Sequence, residues 1–259
     1  MTTPELNSIP NPFDFRGRTA AVTGASRGIG EAIATGFIRG GANVIALQRK
    51  PVQAELLALA EENGVSVTHV PVDLGDEDSV SAAIEASLAL GAVDILVNNA
   101  GTQIRHDTVD FPLTDFDEVW AINGRAVFQL CQGFARPMLE RGDGKIVNVA
   151  SLLSFQGGLR VPAYAAAKGA VAQFTKSMCN EWAARGVNVN AIAPGYVSTD
   201  MNEALLGDAE RSEQISVRIP AGRWANGEDI AGAVHFLSSS AADYIHGVVL
   251  PVDGGWLAR

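Results

Sequence analysis

Seven short apolar runs, at 19–22, 43–47, 65–72, 94–97, 145–149, 188–192 and 248–252, alternate with longer segments rich in alanine and leucine. Runs of this length, bounded by glycine or polar residues, read as strands buried on both faces. The intervening segments, at 30–39, 54–63, 76–90, 115–139, 163–185 and 228–238, have the length and composition of helices. Strand and helix in strict turn leave little choice of architecture. A parallel return needs a long crossover, so the expected fold is α/β, a doubly wound seven-stranded parallel sheet with helices on both faces. No linker or shift in composition divides the 259 residues. One domain over 19–259 is expected, preceded by a polar, proline-containing arm at 1–18. The stretch 201–226 breaks the alternation and reads as an insert able to cover a site.

Charge and composition narrow the function. The formal net charge is −10, which argues against a nucleic-acid partner or an anionic membrane surface. No apolar run approaches the roughly 20 residues needed to cross a bilayer. The first residues lack the basic start and apolar core of a signal peptide, so the cytoplasm is the expected compartment. Cys131 and Cys179 fall in helix-patterned segments and read as two buried thiols. His69, His106, His235 and His246 are scattered without ligand spacing, and no metal site is expected.

The first run leads into Thr23-Gly24-Ala25-Ser26-Arg27-Gly28-Ile29-Gly30 and directly on into a helix. Glycines at a strand-to-helix turn let backbone amides approach a phosphate at the helix N-terminus. In this position they are a signal for a dinucleotide. Farther on, Tyr164 and Lys168 stand four residues apart, with Ser151 thirteen residues before the tyrosine. On a helix such a pair shares one face, about 5–6 Å apart between Cβ atoms. A lysine held there can stabilise a phenolate and lower the tyrosine pKa, and a tyrosine so tuned can give or take a proton at neutral pH.

The glycine loop, Asn98-Asn99-Ala100-Gly101, Ser151 with Tyr164 and Lys168, and Pro194-Gly195 together resemble the short-chain dehydrogenase/reductase family, from about residue 19 to 253. The resemblance implies a Rossmann-type fold and hydride transfer between a nicotinamide cofactor and a carbonyl or secondary alcohol. It makes Tyr164 the general acid or base, with Lys168 lowering its pKa and holding the nicotinamide ribose. Ser151 becomes the hydroxyl on the substrate oxygen, and Asn123 the support of a water-linked proton relay; Asn123 also reads as a helix-bend residue, and the two readings are compatible. Cofactor contacts implied are Gly24, Ser26, Arg27, Gly28, Ile29 and Gly30 in the loop, then Asp73 and Leu74 towards adenine. Asn99, Ala100 and Gly101 lie beside the adenosine, and Pro194, Gly195, Val197 and Thr199 follow, with Thr199 on the carboxamide. Ser154, ten residues before Tyr164, does not fit the pattern.

Dinucleotide choice turns on the end of the second strand, where a carboxylate would take the ribose 2′-hydroxyl of NAD. Here the position is Gln48, followed by Arg49 and Lys50, with Arg27 in the glycine loop. Cations without a carboxylate favour the 2′-phosphate of NADP, with NAD as the alternative.

The segments 151–162, 219–224 and 253–259 resemble a group of the family acting on 2-keto-3-deoxygluconate, 2-deoxygluconate or gluconate. A sugar acid is therefore the expected substrate. Arg160, read as one helical turn before Tyr164, and Arg105 are the candidates for its carboxylate. Alternatives are reduction of a uronate-derived keto-aldehyde, reduction of 3-oxoacyl groups on an acyl carrier protein, and a dinucleotide-binding module without turnover. The family also implies a homotetramer pairing the helices at 115–139 and 163–185, with residues 255–259 packing at another interface.

Overall fold

A parallel strand cannot turn straight back beside its neighbour, and the chain answers each time with a helix on the return. The computed structural model describes residues 11–259, so the first ten residues of the expected arm lie outside the described residues. The strands are β1 (Thr19–Thr23), β2 (Asn43–Gln48), β3 (Val67–Pro71), β4 (Ile95–Asn98), β5 (Gly144–Val149), β6 (Val187–Pro194) and β7 (Val249–Val252). The helices are α1 (Gly28–Arg39), α2 (Ala54–Glu62), α3 (Glu77–Ala89), α4 (Leu113–Trp120), α5 (Ala126–Arg141), α6 (Pro162–Trp182), α7 (Glu203–Leu206), α8 (Ala209–Arg218) and α9 (Gly227–Ser238). All strand pairs are parallel, in the order β3-β2-β1-β4-β5-β6-β7. The seven-stranded parallel sheet read from the sequence is the sheet observed.

Successive strand residues point to opposite faces, and both faces are dry. Ala21, Ile45, Leu96 and Ile146 join one apolar core with α3, α5 and α6. Ala20, Val22, Val44, Ile95 and Val147 join a second with α1, α2 and α9. That is why the strands read as unbroken apolar runs and not as an alternation. The winding sets off one way from β1 to β3 and the other way from β4 to β7. Loops leaving β1 and β4 therefore diverge, and a crevice opens beyond their C-terminal ends.

One expected helix is not continuous. The segment 115–139 becomes α4, a π-helical turn at Ala121–Arg125 and then α5. The cause is Asn123, fully buried, whose Nδ2 donates to Val119 O at 2.9 Å and to Thr102 O at 2.8 Å. A side chain that claims a helix carbonyl widens the backbone ladder, and π turns of this kind often accompany functional sites.

The insert at 201–226 carries α7 and α8 and shares a small core with the turn after β5 and the segment after β7. Leu152, Ile215, Ile219 and Trp256 pack together there. Arg218 lies over the Trp256 ring at 4.0 Å, Trp224 Nε1 donates to Ser216 Oγ at 3.1 Å, and the Arg259 guanidinium donates to Val217 O at 3.2 Å. The helix α8 is thus fixed to the last residues of the chain. At the other end, Phe15 is buried edge-on against Phe37.

The glycine loop is held in place through its helix. The His235 ring of α9 enters the groove of α1 at Gly36, approaching Ile33 O to 2.9 Å through Nε2. A Cβ on Gly36 would stand 1.9 Å from His235 Cε1. Gly36→Ala should therefore destabilise the chain by about 1–3 kcal/mol, the range for overpacking. His235→Ala in the same chain should recover part of the loss in a denaturant double-mutant cycle; strict additivity would show that the two side chains do not compete for one space.

Candidate active site

The crevice at the winding reversal is a cavity of about 750 Å³, open at the C-terminal edge of the sheet. Its floor is knitted by the loops after β1 and β4. Thr23 Oγ1 accepts from Asn99 N at 2.9 Å and from Ala100 N at 3.0 Å, while Asn99 Nδ2 donates to Thr23 O at 3.0 Å. Gly24 and Gly28 have φ of +67° and +57°, and a Cβ on Gly30 would lie 2.0 Å from Gly24 O. Only glycine allows this turn. The side chain of Arg27, which caps α1, makes no capping hydrogen bond. The first-turn amides of α1 meet no side-chain cap, and this cradle fits the diphosphate of a dinucleotide.

The expected cofactor residues are brought to one place. Gly24, Ser26, Arg27, Gly28, Ile29, Gly30, Arg49, Asp73, Leu74, Asn99, Ala100, Gly101, Pro194, Gly195, Val197 and Thr199 all line the cavity. Gln48 also lines it. Its Nε2 donates to Lys50 O and Pro51 O, and its buried Oε1 has no partner. Arg49 and Lys50 stand exposed at the rim, whereas Arg27 pairs with Asp200 across the mouth. Both members of that pair are largely exposed, so it is worth at most about 1 kcal/mol and gives way readily to a phosphate.

Ser151, Tyr164 and Lys168 line the same cavity. Ser151 caps a short turn after β5, its Oγ accepting from Leu153 N at 3.2 Å, which leaves the hydroxyl proton free to donate. The nearby Ser154 hydroxyl is committed to Lys168 O at 2.7 Å. Buried Lys168 donates from Nζ to Val149 O at 2.6 Å and lies 5.7 Å from the Tyr164 ring centroid. A Cβ on Gly101 would meet Asn123 Oδ1 at 2.6 Å and Lys168 Nζ at 3.8 Å. Glycine keeps open the space between those two polar groups. Asn123 itself stands behind the cavity wall, its Oδ1 accepting from Thr102 N at 3.2 Å.

Two expectations need correcting. The Tyr164 phenol is raised in this geometry, where a lowered one was expected. Burial pushes the phenol up, and the Ser151 hydroxyl is what pulls it back. The same burial brings the Lys168 ammonium down to about 8. The lysine lies over the ring face and gives one of its ammonium protons to Val149 O. Arg160 is the second correction. Helix α6 begins at Pro162, so Arg160 precedes it, with φ of 65°, and is not a helical turn before Tyr164. Its guanidinium pairs with Asp107 at 2.9 Å, outside the cavity lining. Arg105 does line the cavity, donating to Gln103 Oε1. Residues that the sequence reading passed over also face the cavity, among them Gln103, Glu118, Gln156, Tyr196 and Arg211. Tyr196 follows Pro194-Gly195 directly and Gln103 follows the Asn98–Gly101 motif closely. Arg211 lies in the insert, where no periodic pattern points at it.

The family profile described as Enoyl-(Acyl carrier protein) reductase matches residues 24–257. The chain belongs to the short-chain dehydrogenase/reductase family. Among its relatives, a 2-dehydro-3-deoxy-D-gluconate 5-dehydrogenase of Bacillus subtilis is 46% identical over 254 residues, covering 98% of this chain and 100% of the other. A crystal structure from Agrobacterium tumefaciens, assigned as a 2-deoxy-D-gluconate 3-dehydrogenase with bound NADP, is 52% identical with a TM-score of 0.90. It covers 96% of this chain, and all of that chain is matched. A gluconate 5-dehydrogenase from Burkholderia cenocepacia, in complex with NADP and tartrate, is 40% identical with a TM-score of 0.91, covering 96% and 98%.

In this short-chain dehydrogenase/reductase, desolvation of Lys168 ties stability to pH. The unfolded side chain keeps its proton up to about 10.5 and the folded one releases it at about 8. Between these values the unfolded state holds more protons, so folding is increasingly favoured as pH rises. Wild type should gain stability relative to Lys168→Met over that window in denaturant titrations; parallel curves would mean that the buried amine keeps its charge.

Proposed function

We propose that the protein is an NADP(H)-dependent oxidoreductase that interconverts a secondary alcohol and a ketone on a sugar acid of the gluconate or 2-keto-3-deoxygluconate type. One observation carries the reading: Ser151, Tyr164 and Lys168 share a cavity with the glycine cradle. Relatives acting on such acids match nearly the whole chain. The bound nicotinamide supplies the hydride chemistry.

The side chains divide the remaining work. Gly24, Ser26, Gly28, Ile29 and Gly30 receive the diphosphate, and Arg27 and Arg49 the 2′-phosphate. Asp73, Leu74, Asn99, Ala100 and Gly101 hold the adenosine end; Pro194, Gly195, Val197, Thr199 and Lys168 the nicotinamide end. Ser151 turns its hydroxyl proton from the phenol to the substrate oxygen, where charge grows during hydride transfer. Tyr164 gives that oxygen its proton in reduction and removes one in oxidation. Lys168 and Asn123, on either side of the gap left by Gly101, carry the proton onward. Arg105 holds the substrate carboxylate. Reduction of 3-oxoacyl groups on an acyl carrier protein is the rival, and the family description names such a carrier, though for an enoyl group. The arginines and amides at the mouth suit a short polyhydroxy acid better than an acyl chain.

A homotetramer in the cytoplasm completes the reading. Support for assembly comes from α5 and α6, where Phe128, 44% exposed, stands edge-on to Phe174. Both cysteines are free thiols, in keeping with a reducing compartment.

Tyr164→Phe should reduce turnover by at least about 10²-fold, the contribution of a positioned acid–base group, while NADPH titration by fluorescence stays near wild type. Activity close to wild type would sink the assignment. Arg49→Ala should weaken NADPH binding on the order of tenfold, as for a lost charge-assisted hydrogen bond, and NADH binding much less. Equal losses for both dinucleotides would refute the 2′-phosphate role.

A further inference from the structure

With Arg160 paired outside the cavity, the acid end of the substrate has Arg105 on one wall and an open question on the other. We propose that Arg211, on α8 of the insert, is the second carboxylate-binding arginine and sets the preference for an acid over a neutral polyol; this rests on the sugar-acid reading above. Arg211 lines the cavity that Ser151, Tyr164 and Arg105 line. Its backbone N–H donates to Asp208 Oδ1 at 3.0 Å, which seats it in the first turn of α8. Among the described residues its guanidinium has neither a hydrogen bond nor an ion pair. The neighbouring arginines contrast with it: Arg218 is stacked on Trp256, Arg223 is bidentate to Asp229, and Arg27 is paired with Asp200.

The helix aims this charge. Ile215, one turn after Arg211 on the same face, is buried and lines the cavity too. Arg218, a further turn on, is pinned over Trp256. That face of α8 is therefore held towards the body by its second and third turns, and the first turn must present Arg211 to the cavity mouth. Of the protein's own carboxylates that line this cavity, Asp200 is paired with Arg27, Asp73 follows β3 and Glu118 sits on α4, so none of them comes from α8. A planar guanidinium with free donors matches a carboxylate in a bidentate fork. A neutral polyol offers it only weaker, uncharged acceptors.

The test is steady-state kinetics with NADP⁺ on wild type, Arg211→Met, Arg211→Lys and the control Glu213→Gln. Glu213 is on α8, exposed and away from the cavity lining. D-Gluconate and 2-keto-3-deoxygluconate serve as substrates, and D-glucitol as a neutral competitor. In Arg211→Met the KM for the acid should rise on the order of ten- to hundredfold, the range for a charge-assisted hydrogen bond. The kcat should change far less, and the glucitol inhibition constant and the NADP⁺ dissociation constant should hold. Arg211→Lys should recover part of the affinity, and Glu213→Gln should match wild type. An acid KM within twofold of wild type in Arg211→Met, or equal weakening of gluconate and glucitol, would overturn the role. A wild type that turns over neither acid in either direction overturns the sugar-acid reading itself, and that result is read before any variant is made.

Discussion

Two consecutive backbone amides, those of Asn99 and Ala100, end on one hydroxyl, Thr23 Oγ1. That contact lies where the winding of the sheet reverses, between β1 and β4. Without it the two loops would splay apart, since each leads to a different face. With it, the glycine turn after β1 and the Asn98–Gly101 stretch after β4 form one floor. The glycine cradle at the start of α1 stands on one side of that floor. On the other, Gly101 leaves the gap between Asn123 and Lys168. A buried threonine that satisfies two amides also removes a burial cost that would otherwise weigh against so tight a junction.

Much of this was legible in the sequence because the information is local or topological. An all-parallel sheet demands apolar strands, and the seven runs showed them. The glycine loop reads directly, since Gly30 has no room for even one more carbon. The parts that were not legible depend on side chains overruling local pattern. The sequence 115–139 offers Asn123 as a bend residue, but it does not announce that the side chain takes the Val119 carbonyl and widens the helix into a π turn. Arg160 looked like a neighbour of Tyr164 only on the premise that helix α6 ran back past Pro162, which it does not. The direction of the Tyr164 pKa is set by burial and opposed by the Ser151 hydroxyl, and a spacing of four residues fixes a helix face but neither of these. Arg211 was invisible because an insert without periodicity gives no face to read.

Charge is distributed against the net balance. The chain carries 19 basic and 29 acidic side chains, yet Arg27, Arg49, Lys50, Arg105 and Arg211 all line the one cavity. A local positive field in a negative protein draws small anions to the crevice while the rest of the surface repels larger polyanions. Dinucleotides and sugar acids are both small anions, so one arrangement serves both ligands.

The bond from Lys168 Nζ to Val149 O has a consequence for how such a protein can change over time. It ties the long helix α6 to the strand from whose end Ser151 hangs, so Ser151, Tyr164 and Lys168 move as one piece with the sheet. Arg105 and Arg211 belong to a loop and to an insert outside that piece. Substitutions at the mouth can therefore alter what is admitted without disturbing Ser151, Tyr164 and Lys168. New substrate ranges can arise by trading the rim alone, while the interior is inherited unchanged.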